Sequence, residues 1–255
     1  MGDCGLLFNS TQNPRISAML KPSDTKKGFT LIELLTVIAI LAILGAIIFP
    51  TVGQFRTLAK KTSDSNDLRN IVQASQMFAA QNGERLVGAD QVLGTNGVTT
   101  GTADLVDIAS ILAYGGELTD PANWVSANDA SRGNGSGALF TEDDTDPANI
   151  VYAAGSGYAP EDLSYSYVTG LRTSDSATTP VVFTRKSSLT DATWAATDPY
   201  GTDGGHIAFL GGNVSWFDTI DSKLINVSDG TSTNSLADAV PGGQSSILLP
   251  VAAGQ

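Results

Sequence analysis

One cysteine, Cys4, and one histidine, His206, among 255 residues remove several chemistries at once. A lone cysteine closes no intramolecular disulfide, so cysteine usage reveals neither a disulfide framework nor a redox compartment. A lone histidine leaves no histidine pair for a zinc site, and no nucleophile-elbow sequence accompanies it. Positive charge is scarce as well: 14 Lys and Arg stand against 26 Asp and Glu, a net of −12. Arg15, Lys21, Lys26 and Lys27 against Asp3 and Asp24 leave the first 28 residues at +2 and the remainder at −14. So acidic a body repels phosphate backbones, which counts against nucleic acid as a partner. Only 16% of residues are charged, while glycines number 27. With many Ser, Thr and Asn, this describes a turn-rich domain of the exported kind, in a chain long enough to bury a core.

What the chain has in full measure is one apolar run. Lys26 to Phe49 reads KKGFTLIELLTVIAILAILGAIIF, about twenty apolar residues interrupted by a single carboxylate, Glu33. At 1.5 Å rise per residue that length crosses the hydrocarbon of a bilayer. Residues 1–28 are polar, contain Pro14 and Pro22, and lack the apolar core of an ordinary secretory signal, so they read as a cytosolic leader, with Met19 as a second candidate start. Lys26 and Lys27 abut the run and favour the leader on the inside, against Arg56, Lys60 and Lys61, which follow it within the window that counts for orientation.

The expected fold class is α+β: a long N-terminal helix, membrane half then amphipathic half, packed on a C-terminal antiparallel sheet. Beyond the run, Val52, Phe55, Leu58, Leu68, Ile71, Val72, Phe78 and Ala79 fall largely on three- and four-residue spacing, the mark of one apolar stripe. Asn82-Gly83 is a stop signal, so one helix is expected over about 30–82. Pro50, flanked by Gly45 and Gly53, predicts a kink or a melted turn at residues 45–53. The expected divisions are 1–28, 29–50, 51–83, a globular part 84–217, and a Ser/Gly-rich tail 218–255, flexible or docked on a neighbour. Residues 84–102 read as loop, 104–114 as a short amphipathic helix, and 123–137 as a turn-rich stretch around Trp124. Leu163–Val168 and Pro180–Thr184 read as strands, and His206–Phe217 as a hairpin turning at Gly211-Gly212-Asn213.

Candidate chemistry is thin. Glu142, Asp143, Asp144 and Asp146 form an acidic stretch without the glycine and distal glutamate of an EF-hand, so a solvated loop is the simpler reading. His206 with Ser215 or a nearby aspartate has only residue types in favour of a triad; a strand-edge histidine holding a turn is the simpler reading. Glu33 is the exception, because a carboxylate in hydrocarbon costs about 2.5–3.5 kcal/mol and requires a partner or a task. Either it snorkels to the headgroups near the helix start, or it pairs with a cation inside an apolar bundle.

The order Lys26-Lys27-Gly28-Phe29-Thr30-Leu31-Ile32-Glu33, with Pro50 beyond it, resembles the N-terminus of type IV pilins and type II secretion pseudopilins through about residue 55. The resemblance implies cleavage between Gly28 and Phe29 by a prepilin peptidase, N-methylation of Phe29, and Glu33 as the assembly carboxylate, paired with the Phe29 amine of its own chain or of a neighbour. It implies an inner-membrane precursor with its body on the periplasmic side, an inner-membrane assembly platform, and a homo-oligomeric helical filament. Cys4 would leave with the leader; a mature chain without a C-terminal disulfide points to the pseudopilin side. Major pseudopilins bind calcium in a C-terminal loop, which makes Asp198, Asp203 and Asp218 metal candidates by resemblance. The stretch GTDGGHIAFLGGNVSWF is also similar to a C-terminal segment of pilin-like proteins of environmental bacteria, with Gly212-Asn213 where those have Asp-Gly. A minor tip pilin and a membrane-anchored enzyme are the alternatives; the presence of Glu33 argues against the first, and the lone histidine against the second.

Overall fold

The computed structural model describes residues 28–94, 96–130, 132–143 and 151–250. The leader residues Cys4 and Met19, and Asp144 and Asp146, lie outside them. The chain divides after Thr51 into two compact units.

The described part of the first unit is the beginning of α1 (Leu31–Gln81). It is helical because its apolar run carries no breaker before Pro50 and because Thr30 caps it. No residue of Leu31–Phe49 is buried, and the segment is long and apolar enough to cross a membrane. Of the kink or melted turn expected at residues 45–53, the melted turn is not present: α1 is α-helical across Gly45, Pro50 and Gly53. Proline removes one backbone donor, but its fixed φ is a helical one, and helix-forming neighbours on both sides carry the ladder past it.

The second unit is α+β, as expected. Its portion of α1 turns Leu68, Ile71, Val72, Phe78 and Ala79 into the core. It ends as Asn82-Gly83 predicts, with Gly83 at φ +65° and the Glu84 N–H reaching back to the Ala79 carbonyl at 2.9 Å. Residues 84–102, expected to be loop, instead hold a hairpin of β1 (Gln91–Gly94) and β2 (Gly97–Thr100). Helix α2 (Leu105–Gly115) follows, its first turn closed by a capping box in which Asp104 accepts from the Val106 and Asp107 N–H groups and Asp107 accepts from the Asp104 N–H. Its Leu105, Ile108, Ile111 and Leu112 are buried. A 3-10 turn, Pro121–Trp124, sinks the Trp124 ring fully into the core. Strands β3 (Phe140–Asp143) and β4 (Val151–Ala154) form a second two-stranded ladder, which places Glu142 and Asp143 on β3.

The main sheet has the order β11-β5-β6-β7-β8, all antiparallel, from β5 (Tyr165–Val168), β6 (Pro180–Thr184), β7 (Gly205–Phe209), β8 (Val214–Phe217) and β11 (Ile247–Leu248). The β7–β8 turn has Gly212 at φ +84°, the left-handed conformation for which glycine is suited. Register sets Tyr167, Val182, Ala208 and Val214 on one face, and Tyr167 OH donates to Ser75 Oγ of α1 at 3.0 Å, so this face meets the helix. On the other face Phe183, Ile207 and Phe209 are buried in the same core as Leu224, Leu236, Ala239 and Val240. Residues 218–250 are therefore not a separate tail. Their apolar residues are spaced widely among Ser, Gly and Asn, yet they include β9 (Leu224–Ile225), β10 (Ser232–Thr233) and the sheet strand β11.

Candidate functional site

The site built by residues 28–49 is a helix start followed by an unpartnered apolar surface. Gly28 is exposed, a Cβ on it would meet nothing within 4 Å, and Phe29 is 82% exposed. Both residues flanking the Gly28–Phe29 peptide bond are thus exposed among the described residues. Thr30 is the N-cap: its backbone N–H and its hydroxyl donate to Glu33 Oε2 at 2.8 and 2.9 Å, and the Glu33 N–H donates to Thr30 Oγ1 at 3.3 Å. This is a Thr-x-x-Glu capping box, legible in the sequence and passed over there because the apolar run dominates the reading. It satisfies two of the carboxylate's acceptor positions within its own first turn and leaves the others open to a cation. Leu31, Ile32, Leu35, Ile38, Leu41 and their neighbours surround it, all exposed.

The remaining sequence candidates do not converge on one another. Asp198 is buried and accepts from the Ser187 N–H at 2.8 Å, the Ser187 hydroxyl at 2.5 Å and the Ala195 N–H at 2.7 Å. Asp203 sits in the 3-10 turn Gly201–Asp203. Asp218 is exposed and pairs with Lys223 at 2.7 Å, and that ammonium, with the Thr219 N–H, holds its carboxyl below the usual range. Among the described residues no group of three or more His, Cys, Asp or Glu side chains gathers in a way that could hold a metal ion.

His206 is not at a sheet edge. It lies on β7 between β6 and β8, 5% exposed, with its ring edge-on to Trp216 and Tyr200 at centroid distances of 4.9 and 5.9 Å. Its backbone N–H, rather than its ring, makes the hydrogen bond recorded for it, to Thr184 Oγ1 at 3.0 Å. Burial, and then the charge of Lys61, push its pKa down to about 4. Ser215 pairs with Ile207, one residue out of phase with His206, so the two side chains project from opposite faces and no triad forms.

One polar group was missed by sequence reading. Asp64 of α1 is 1% exposed and accepts from Ser126 Oγ at 2.5 Å and Tyr200 OH at 2.6 Å. One turn earlier, Lys61 Nζ lies 3.5 Å from the centroid of Trp216. Together these residues bind the helix to the sheet side of the second unit. Asp64 opens the polar helix segment DSNDLRN, which offers no periodic signal that this side chain will be enclosed.

No curated protein and no solved structure matches the chain. Residues 24–49 match the family model described as the prokaryotic N-terminal methylation motif, and with it the chain carries the N-terminal signature of type IV pilins and pseudopilins.

Proposed function

We propose that the chain is the precursor of a structural subunit of a type IV pilus-like or type II secretion pseudopilus filament. A prepilin peptidase cleaves it after Gly28, Phe29 becomes the N-methylated terminus, and subunits polymerise through the apolar helix. The observation that carries this reading is the span Leu31–Phe49, apolar throughout but for Glu33 and Thr36, the first its only charge, and with no residue buried among the described residues. Such a surface requires a non-aqueous neighbour, which is lipid before assembly and other copies of the same helix afterwards. Repetition of one non-closing contact then yields a filament rather than a ring.

Glu33 gives assembly its register. Its capping contacts with Thr30 hold the carboxylate over the first turn of the helix, which supports a pairing with the amine that Phe29 gains on cleavage. A neighbour's amine neutralises a charge that lipid alone solvates poorly, so correctly stacked helices are favoured over slipped ones. In cells, Glu33→Ala is expected to be cleaved normally and to fail in filament formation. Filaments of Glu33→Ala as abundant as wild type would remove the pairing from the account.

A further inference from the structure

Residues 187–198, SSLTDATWAATD, contain no helix or strand, yet their carbonyls are accounted for in two directions. Outward, the Leu189 carbonyl accepts from the Leu236 N–H at 2.8 Å and the Ala192 carbonyl from the Ile220 N–H at 2.9 Å. Inward, the carbonyls of Ser188, Asp191 and Thr193 all accept from one atom, Lys186 Nζ, at 2.5, 2.9 and 2.7 Å. An ammonium has three donors and no acceptor, and here all three are used on backbone oxygens. The Trp194 ring lies 5.6 Å from the same nitrogen, and Lys186 as a residue is 1% exposed. Asp198 closes the far end of the loop on Ser187 and Ala195. Beyond it, Gly201 N–H bonds to the Asp198 carbonyl, and Tyr200 reaches Asp64 of α1.

We infer that the carbonyls of Ser188, Asp191 and Thr193 form a binding site for a primary ammonium, with Lys186 as its built-in ligand, and that its occupancy orders the loop presenting Tyr200 to α1. Three carbonyl oxygens converging without a cation would repel one another and remain buried without a donor, so the loop holds this shape only when the site is filled. The order of the loop does not depend on the filament reading, and neither does its test. Burial lowers the pKa of Lys186, against the raising influence of Asp198 and then Asp191. The site is specific for N–H donors of small size, since a quaternary ammonium presents methyl groups where the oxygens need protons.

Two measurements on the full chain in detergent micelles test this. In the first, the native wild type is treated with formaldehyde and borohydride, and lysine methylation is mapped by mass spectrometry. Lys186 is expected to stay unmodified while the exposed Lys223 reacts; equal reaction of the two would overturn the inference. In the second, chymotryptic cleavage at Leu189 and Trp194 is timed in Lys186→Ala. Cleavage is expected to be about tenfold faster than in wild type, as befits a locally opened loop. Propylammonium, the fragment that the substitution deletes, is expected to restore protection, and tetramethylammonium at equal ionic strength is not. Unchanged cleavage in Lys186→Ala, or equal protection by both ions, would contradict an ammonium site. Should Lys186→Ala not fold, Lys186→Met, which keeps an apolar stem and removes the three donors, is put through the same cleavage assay, and cleavage as slow as in wild type would contradict an ammonium site.

Discussion

His206, Asp64 and Asp67 set the response of the second unit to pH, and they pull in opposite directions. Burial and Lys61 place His206 at about 4, whereas burial first, and then the charges of Asp64 and Asp120, place Asp67 at about 6. A histidine whose folded pKa lies below its unfolded value of about 6.5 contributes stability that is complete above that value and is lost as pH falls towards 4. An aspartate raised from 3.8 to about 6 does the reverse, contributing fully below 3.8 and losing that contribution as pH rises to about 6. Asp64 is raised as well, by burial, against the hydrogen bonds from Ser126 and Tyr200. Between about pH 4 and 6 the histidine and the aspartates therefore offset one another. Removing one side exposes the other: Asp67→Asn is expected to lose thermal stability more steeply than wild type on acidification from pH 6 to 4, and His206→Gln less steeply. Melting temperatures taken across that range decide it, and parallel curves for all three proteins would refute the assignment. None of this opposition was legible in the sequence, because it arises from the register that turns His206 towards α1 and from the enclosure of Asp64 by residues 62 and 136 positions away.

At the scale of elements, what the sequence disclosed was whatever rests on neighbours in the chain. Helix α2 was legible from Leu105, Ile108, Ile111 and Leu112, the end of α1 from Asn82-Gly83, strand β6 from its β-branched run, and the β7–β8 hairpin from Gly211-Gly212-Asn213. Strands β1 and β2 were missed because each is only four residues long and ends or begins in a glycine, which is depleted in strands, and the support for their pairing comes from α2 and β4 packing beside β1. Strand β11 was missed for a related reason: two residues, Ile247 and Leu248, become a strand only because β5 offers an edge. Of the two outcomes expected at Pro50, a kink or a melted turn, the melted turn is absent because the helical turns on either side carry the ladder past the missing donor. Local signals also give the most direct stability test. Asp104→Ala removes the acceptor for two first-turn N–H groups of α2 and is expected to cost about 1 kcal/mol, read as a lowered urea midpoint with unchanged slope. No change in midpoint would mean that the capping box contributes nothing to the fold.

As a whole molecule, the chain joins a folded acidic unit to an apolar segment, Leu31–Phe49, none of which is buried among the described residues. The second unit encloses its own core: α1 meets one sheet face at Tyr167, residues 218–250 add buried side chains and the edge strand β11, and the Lys186 ammonium holds the loop between β6 and β7. The described part of the first unit does the opposite, leaving Leu31–Phe49 exposed behind the exposed residues Gly28 and Phe29. That contrast was readable early, since twenty apolar residues, one glycine and one glutamate are all sequence facts; what the structure adds is the Thr30–Glu33 cap that fixes where the carboxylate stands. The central claim is that this segment is first processed and then polymerised, and the N-terminus of the mature protein tests it most directly. Mass spectrometry of protein from cells with active prepilin peptidase should find a chain that begins at Phe29 and carries one methyl group on its amine. A chain that retains the leader, beginning at Met1 or Met19, would contradict it.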